Sequence, residues 1–119
     1  NAGTYSIIWS AQLVNADTQI HNAQIWLRKN GTNVAGTSSK YDLIARKSAT
    51  IDSYVIAVAN FYIDLASGDY VELVWATDQA ATLAGGLGIY AEAYAAATTP
   101  FIMPSIPSVV ATLTFVSST

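Results

Sequence analysis

The sequence predicts an all-β protein, an antiparallel β-sandwich that forms a single domain over residues 1–119. Nearly every segment either alternates apolar and polar residues or is rich in β-branched and aromatic residues, and both patterns are typical of strands. Turn-forming residues separate these segments, which gives about six to eight strands and no convincing helix. A chain of 119 residues can bury one core but not two, and no repeat or linker divides it.

The first part of the chain predicts two strands and a hairpin. Residues 5–13 carry an apolar side chain at every odd position, which predicts a strand with one apolar face. A polar turn at residues 15–19 leads into a second strand at residues 21–29. Asn30–Gly31 indicates a tight hairpin, because both residues tolerate positive φ. Residues 32–40 are rich in Gly, Ser and Thr and form either an edge strand or a loop.

The middle of the chain contains the longest apolar segment. Residues 49–65 are long enough for a helix of about four turns, but their β-branched and aromatic content favours a strand. A turn at residues 66–69, with Gly near its centre, precedes a strand at 70–77, and residues 78–86 form a loop. Residues 87–97 are rich in alanine, which suits a helix. Their apolar and small residues alternate with tyrosines and a glutamate, so we interpret them as a strand.

The last part of the chain predicts a crossover and a final strand. All three prolines lie within residues 98–107. Because proline lacks the N–H group that a central strand needs, this segment is a loop or an extended crossover. Residues 108–118 predict a closing strand with an apolar face that runs from Val109 to Phe115.

The composition narrows the classes of function. The chain is 52% hydrophobic and 11% charged, whereas an ordinary soluble domain is about 25% charged. No run of about 18 uncharged apolar residues occurs, so membrane insertion is not expected, and burial against partner subunits accounts better for so apolar a chain. The net charge is −3, and the five Lys and Arg residues form no basic patch, so nucleic acid is not an expected partner. The chain has no cysteine, which excludes disulfides, thiol catalysis and Cys-ligated zinc.

Several segments in a fixed order resemble the jelly roll of the complement-head/tumour-necrosis-factor superfamily. They are "GTYSIIWSAQL" from Gly3, "IWLRKNGT" from Ile25, "FYIDLASGDYVELVW" from Phe61 and the closing "SVVATLTFV", which is similar to the family's last strand, in the core. The chain looks closer still to complement-head-like domains of bacteriophage virion proteins. The resemblance implies a TNF-like antiparallel jelly-roll β-sandwich that assembles as a homotrimer.

The function that this resemblance implies is not enzymatic. It is that of a structural module in a bacteriophage virion, in a tail fibre, at the tail tip or as a capsid decoration on the head. The partners are then copies of the chain itself and other virion proteins, with no cofactor. An alternative is a host-attachment knob whose distal loops bind a host receptor or glycan. A more distant alternative, a polysaccharide hydrolase, would need paired acids that the sequence does not show.

The position of the first strand leads to an expectation about the length of the polypeptide. In the family, the Gly-x-Tyr strand follows several earlier strands, whereas here it begins at Gly3. We therefore expect residues 1–119 to be the C-terminal part of a longer polypeptide. A reduced sandwich that stands alone is the alternative. Edges left by missing strands would need a cover, which is a second reason to expect a partner.

The titratable residues do not suggest catalysis. His21 is the only histidine, and the sequence shows no second ligand or orienting carboxylate for it, so we expect a structural or solvated role. Asp69 and Glu72 lie on opposite faces of a strand because their separation is odd. Asp69 is better interpreted as a turn former. We therefore expect no catalytic residue, metal site or cofactor.

Eight residues are candidates for the oligomer interface. Glu92 shares a predicted strand face with two tyrosines, whose hydroxyl groups need partners when buried, and an apolar trio lies between prolines, where it suits docking onto a neighbouring subunit. The alternative is that the aromatic residues fill the sandwich core. That alternative is favoured for Trp9 and for Trp75, and both interpretations stand equally for Tyr90 and Tyr94. The candidates are Tyr5, Trp9, Tyr90, Glu92, Tyr94, Phe101, Ile102 and Met103.

Overall fold

The structure of the protein is a computed structural model, and the residues described from it are 1–78, 87–89 and 105–118. Within those ranges every regular element is a strand, and all strand pairs are antiparallel. The strands are β1 (Gly3–Asn15), β2 (His21–Lys29), β3 (Thr32–Asn33), β4 (Ser39–Leu43), β5 (Ser53–Leu65), β6 (Val71–Thr77), β7 (Leu87–Ile89) and β8 (Val109–Ser117). They form two sheets that pack together, which confirms the predicted all-β class and the β-sandwich.

The first sheet is built around β1. Strand β5 pairs with β1 along its whole length, from Gly3 opposite Leu65 to Asn15 opposite Ser53. The other side of β1 is shared by two strands: β8 pairs with residues 4–11 and β7 with residues 13–15. Among the described residues this sheet is therefore three strands wide along residues 4–11 and 13–15 of β1.

The second sheet is built in the same way around β2. Strand β6 pairs with residues 23–29 on one side of β2. On the other side β4 pairs with residues 21–25 and β3 with residues 28–29, and residues 34–38 form a loop between them. The segment 32–40, for which an edge strand and a loop were both expected, thus contains two short strand pieces and a loop.

The core lies between β1 and β5 of the first sheet and β2 and β4 of the second. Odd-numbered residues of β1, β2 and β5 point inward, as the alternation in the sequence predicts. Each large side chain that is fully buried contributes about 1.5–3 kcal/mol to the free energy of unfolding. The buried apolar residues are Ile7, Trp9, Ala11, Leu13, Ala23, Ile25, Leu27, Leu43, Ala57, Ile63 and Leu65.

Two local features of the sequence explain how the strands begin and turn. Asn30 and Gly31 adopt φ values of 50° and 81°, so the hairpin predicted at the end of β2 is confirmed. A Cβ atom added at Gly3 would meet the Ser117 carbonyl oxygen and Phe115 Cε2, because β8 crosses β1 closely at the register shift next to Thr4. Glycine at the first position of β1 therefore admits the end of the last strand.

Strand β8 differs from what the sequence predicts. Its apolar face was expected in the core, but every residue from Val109 to Ser117 is exposed, including Leu113 and Phe115, which point toward the inner side of the sheet. The second sheet covers the β1 and β5 part of that inner side and leaves the β8 part open. Trp75, also expected in the core, is 38% exposed on β6.

Asn15 joins the two sheets at the end of β1. Its side chain is fully buried, and its Nδ2 lies 2.9 Å from the Gln19 carbonyl oxygen, 3.2 Å from that of Leu43 and 3.0 Å from that of Ile44. Its Oδ1 accepts a hydrogen bond of 2.9 Å from the Asp17 amide. One side chain thus fixes both the turn after β1 and the end of β4.

Candidate functional site

The outward-facing residues of the first sheet form the candidate site, which we call the sheet 1 face. The register places even-numbered residues of β1 beside even-numbered residues of β5 and β8, on the side opposite the core. The face consists of Thr4, Ser6, Ile8, Ser10, Gln12 and Val14 from β1, Tyr54, Ile56, Val58, Asn60, Tyr62 and Asp64 from β5, and Val110, Thr112 and Thr114 from β8.

The sheet 1 face is apolar and almost free of charge. Tyr62 is 70% exposed, Val58 60% and Ile56 57%, and Ile8 at the centre of the face is 48% exposed. The only charged residue in strands β1, β5, β7 and β8 is Asp64, at one end of the face. The rest of the face is made of hydroxyl and amide side chains. The largest apolar patch on a soluble protein is often a functional surface.

Strand β8 extends the exposed apolar surface around the side of the sandwich. Val110 and Val116 are each 50% exposed, and on the inner side Leu113 is 51% and Phe115 49% exposed. The Phe115 ring meets the Tyr5 ring edge to face, with centroids 5.4 Å apart and an interplanar angle of 66°. The open side of the core is thus lined by two aromatic rings that continue the apolar surface.

Two of the eight predicted interface residues lie in the described part of the chain. Tyr5 is half-buried, packs against the core and donates its hydroxyl hydrogen bond to the Asn1 carbonyl oxygen. Trp9 is fully buried within the single chain, so it is a core residue and not a contact residue, which corrects its place among the interface candidates. Its Nε1 has no hydrogen-bond partner among the described residues.

The other six interface candidates lie outside the described residues. They are Tyr90, Glu92, Tyr94, Phe101, Ile102 and Met103. What the structure adds instead is the sheet 1 face, which the sequence analysis did not identify. The signal was present in the sequence: "YVIAVANFYI" of β5 is apolar at even as well as odd positions, so one apolar face had to lie outside the core.

His21 has two carboxylate partners that the sequence analysis did not find. Its Nε2 lies 2.6 Å from Asp17 Oδ2, and its Nδ1 lies 3.2 Å from Asp78 Oδ1, so a doubly protonated ring donates to both. The hydrogen bond to Asp17, assisted by the charge of Asp78, raises the pKa of His21 above its ordinary value. The same hydrogen bond, together with the Thr18 amide, lowers the pKa of Asp17. This arrangement ties the turn after β1 to the end of β6.

Asp69 is a turn former, as predicted. Its Oδ2 accepts a hydrogen bond of 2.8 Å from the Ala66 amide, its Oδ1 accepts one of 2.8 Å from Asn30 Nδ2, and Lys29 Nζ lies 3.3 Å from Oδ2. These contacts, led by the Ala66 amide, lower the pKa of Asp69. The cluster fastens the β2–β3 hairpin to the β5–β6 turn and has a structural role.

Comparisons with known proteins found no relative of this chain. Neither protein-family models, nor curated proteins, nor solved structures give a match.

Within the described ranges, no group of three or more His, Asp or Glu side chains is arranged to hold a metal ion. No helix in that part of the chain reaches the length and apolarity needed to cross a membrane.

Proposed function

We propose that this protein is a non-enzymatic structural module of a bacteriophage virion, a jelly-roll domain that assembles as a homotrimer through the sheet 1 face. The observation that carries the assembly is the exposure of Ile8, Ile56, Val58 and Tyr62 on a face with a single charge at its end. The trimeric state, the jelly-roll topology and the virion, as a fibre, tail-tip or head-surface component, rest on the resemblance of the sequence motifs.

The chemistry of the sheet 1 face suits contact with copies of the same chain. Each copy has a net charge of −3, so two copies repel unless they meet through uncharged surface. The charged residues lie almost entirely on the second sheet and in the turns, whereas the sheet 1 face carries only Asp64. Burying apolar side chains there stabilises the assembly by about 25 cal/mol for each Å² removed from water.

The size of this surface is close to that of an ordinary interface. Three strands of the observed lengths present a face of about 550 Å², at ~3.3 Å per residue and ~4.8 Å between strands. The open inner side of β8 adds about 140 Å² on the same basis. Each partner in a standard interface buries about 800 Å². Around a three-fold axis, one chain divides this total between two neighbours, so each contact uses about 350 Å² of it, less than half of what one partner buries in a standard interface.

The test is the oligomeric state of the chain and of a charged variant. Light scattering on the wild-type chain should give the mass of three chains of 12.6 kDa each. The double variant Ile8→Lys/Val58→Lys should be monomeric, because two buried lysines without partners would each oppose assembly by several kcal/mol. The matched control Ile44→Lys/Ile51→Lys introduces the same charges at exposed apolar positions between β4 and β5 and should remain trimeric.

Three outcomes would contradict the proposal. If the wild-type chain is monomeric at all accessible concentrations, the proposal that it assembles is wrong. If it forms a stable dimer, the proposal that the assembly is a trimer is wrong. A charged variant that stays trimeric shows that the sheet 1 face is not the contact. Circular dichroism on both double variants establishes that each is folded, since all four substituted side chains are about half exposed or more.

A further inference from the structure

A groove lies on the outer side of the second sheet, away from the sheet 1 face. Its floor is formed by β2 and β6 and its wall by β3 and the loop of residues 34–38, and this open groove has a volume of about 340 Å³. Small-molecule sites in proteins start at about 300 Å³. We call it the Trp26 groove. Its lining residues are Gln24, Trp26, Asn33, Val34, Ala35, Gly36, Ser38 and Ala76.

The lining of the Trp26 groove combines an aromatic ring with neutral hydrogen-bonding groups. Trp26 Nε1 donates a hydrogen bond of 2.8 Å to Asn33 Oδ1, and Gln24 Nε2 donates one of 2.8 Å to Ser38 Oγ. Neither bond uses Asn33 Nδ2, which is a donor, or Gln24 Oε1, which is an acceptor. None of the eight lining residues is charged. The groove therefore offers donors, acceptors and an indole, without an ion-pairing group.

The wall of the groove is fixed before any ligand arrives. Thr37 is buried, and its hydroxyl accepts a hydrogen bond of 3.0 Å from the Leu27 amide and donates one of 2.8 Å to the Val34 carbonyl. The Val34 amide donates in turn to the Leu27 carbonyl at 3.0 Å. Gly36, at φ 80°, adopts the left-handed conformation within this loop. A preformed wall means that little ordering entropy is lost when the groove is filled.

We propose that the Trp26 groove binds a neutral saccharide. A sugar ring has an apolar C–H face that packs on an indole, and hydroxyl groups that both donate and accept, which matches Asn33 Nδ2 and Gln24 Oε1. A phosphorylated, sulfated or carboxylated ligand would be desolvated without a cation among the lining residues. An apolar peptide would find only Val34, two alanines and the indole to bury it.

This site is independent of the proposed assembly, since the sheet 1 face lies on the other side of the sandwich. It gives the glycan-binding alternative a place other than the distal loops in which the sequence analysis expected it. The lining contains no carboxylate, so this groove supports binding and not the hydrolase alternative, which requires two.

The experiment is an NMR titration of the ¹⁵N-labelled full chain, in which the indole N–H of Trp26 reports on the groove. The neutral probes are maltotriose, triacetylchitotriose and β-1,4-galactotriose, the anionic probe is trigalacturonic acid, and the peptide probe is tetra-alanine, each up to about 10 mM, above the ~1 mM range of weak sites. With at least one neutral probe we expect saturable shifts of the Trp26 indole signal and of the amide signals of Ala35 and Gly36. With trigalacturonic acid and with tetra-alanine we expect no saturable shifts.

Variants assign the binding to the groove. Trp26→Ala should weaken the affinity by about tenfold through loss of the stacking surface, and Gln24→Ala, at an exposed position, should weaken it by about threefold through loss of one acceptor. Tyr70→Ala is the matched control, because it removes an exposed aromatic ring outside the groove and should leave the affinity unchanged.

Several results would overturn the proposal. They are the absence of saturable shifts with every neutral probe, shifts confined to residues outside the groove, equal binding of trigalacturonic acid or tetra-alanine, and unchanged affinity in both groove variants. The exposed Gln24→Ala variant keeps the test decisive if Trp26→Ala fails to fold. The NMR titration does not depend on the oligomeric state. Failure of the saccharide proposal would therefore not contradict the assembly proposal, and failure of the assembly proposal would not contradict the saccharide proposal.

Discussion

Among single side chains, Asn15 shows how one buried polar group can hold a sandwich together. Among the described residues it is the largest polar side chain that is fully buried, and it satisfies backbone groups from the turn after β1 and from the end of β4. Buried polar groups are tolerated only when they are hydrogen-bonded. Asn15 therefore stabilises the fold because of the chain segments that it joins.

Replacing Asn15 with Asp should destabilise the protein strongly. The change removes the Nδ2 donor and places a carboxylate beside three carbonyl oxygens, with an expected loss of at least about 3 kcal/mol in the free energy of unfolding. Gln19→Glu makes the same chemical change at an exposed position and should alter it by less than about 0.5 kcal/mol. Urea denaturation measures both, and equal effects would show that Asn15 has no special role.

The His21 cluster predicts a dependence of stability on pH. The pKa of His21 is raised, so its contribution is fully present below its ordinary value of about 6.5 and is lost as the pH rises through the folded-state value. The pKa of Asp17 is lowered, so its contribution is present above about 3.8 and is lost as the pH falls below that value. Both contributions to the free energy of unfolding are therefore present between about pH 4 and pH 6.5.

The variant His21→Gln tests this dependence. The difference in melting temperature between the wild-type chain and the variant should be largest near pH 5 and should shrink as the pH rises through the raised folded-state pKa of His21, where the imidazole loses its charge. Thermal unfolding followed by circular dichroism across this range measures the difference. A difference that is constant with pH would mean that the charged contacts to Asp17 and Asp78 contribute nothing.

Among the strands and loops, the break between β3 and β4 depends on a single hydroxyl group. Without a continuous strand beside β2, the Leu27 amide would lack a ladder partner, and Thr37 supplies one from the loop. The same hydroxyl holds the Val34 carbonyl. The Thr37 side chain thus replaces strand pairing at the point where the polypeptide leaves the sheet. The loop that leaves the sheet there forms part of the wall of the Trp26 groove.

Thr37→Val should therefore be destabilising although it keeps the shape of the side chain. It leaves the Leu27 amide and the Val34 carbonyl without their partner, at a cost of about 2–3 kcal/mol. Thr32→Val, at an exposed position in β3, serves as the control and should change the free energy of unfolding by less than about 0.5 kcal/mol. Chemical denaturation distinguishes the two, and a neutral Thr37→Val would show that the loop does not need this hydroxyl.

For the domain as a whole, charge and exposed apolar surface are separated between the two sheets. The described strands of the second sheet carry Arg28, Lys29, Lys40, Asp42 and Glu72, whereas those of the first carry only Asp64. In the proposed assembly, copies of net charge −3 would meet through the sheet that can be buried with little ion desolvation. The light-scattering test of Ile8→Lys/Val58→Lys belongs to this level, because it asks whether that separation directs assembly.

The sequence predicted much of the fold because its alternation is local. The bounds of β2, the inward face of β1 and the Asn30–Gly31 hairpin all follow from residues within a few positions of one another. The contacts of His21, in contrast, were not predicted. The partners of His21 come from residue 17 in a turn and residue 78 after β6, and the second becomes visible only once β2 and β6 are in register.

By itself, therefore, the sequence determined the all-β class, the strands and the low charge, since a period of two residues and a composition are properties of the chain alone. Only the tertiary structure decided which apolar faces are covered: it buried Trp9, left β8 and the outward side of β5 exposed, and assembled the Trp26 groove from β2, β6 and a loop. The physical reason is that burial depends on which sheets stack and in what register, and those are contacts between residues far apart in the chain.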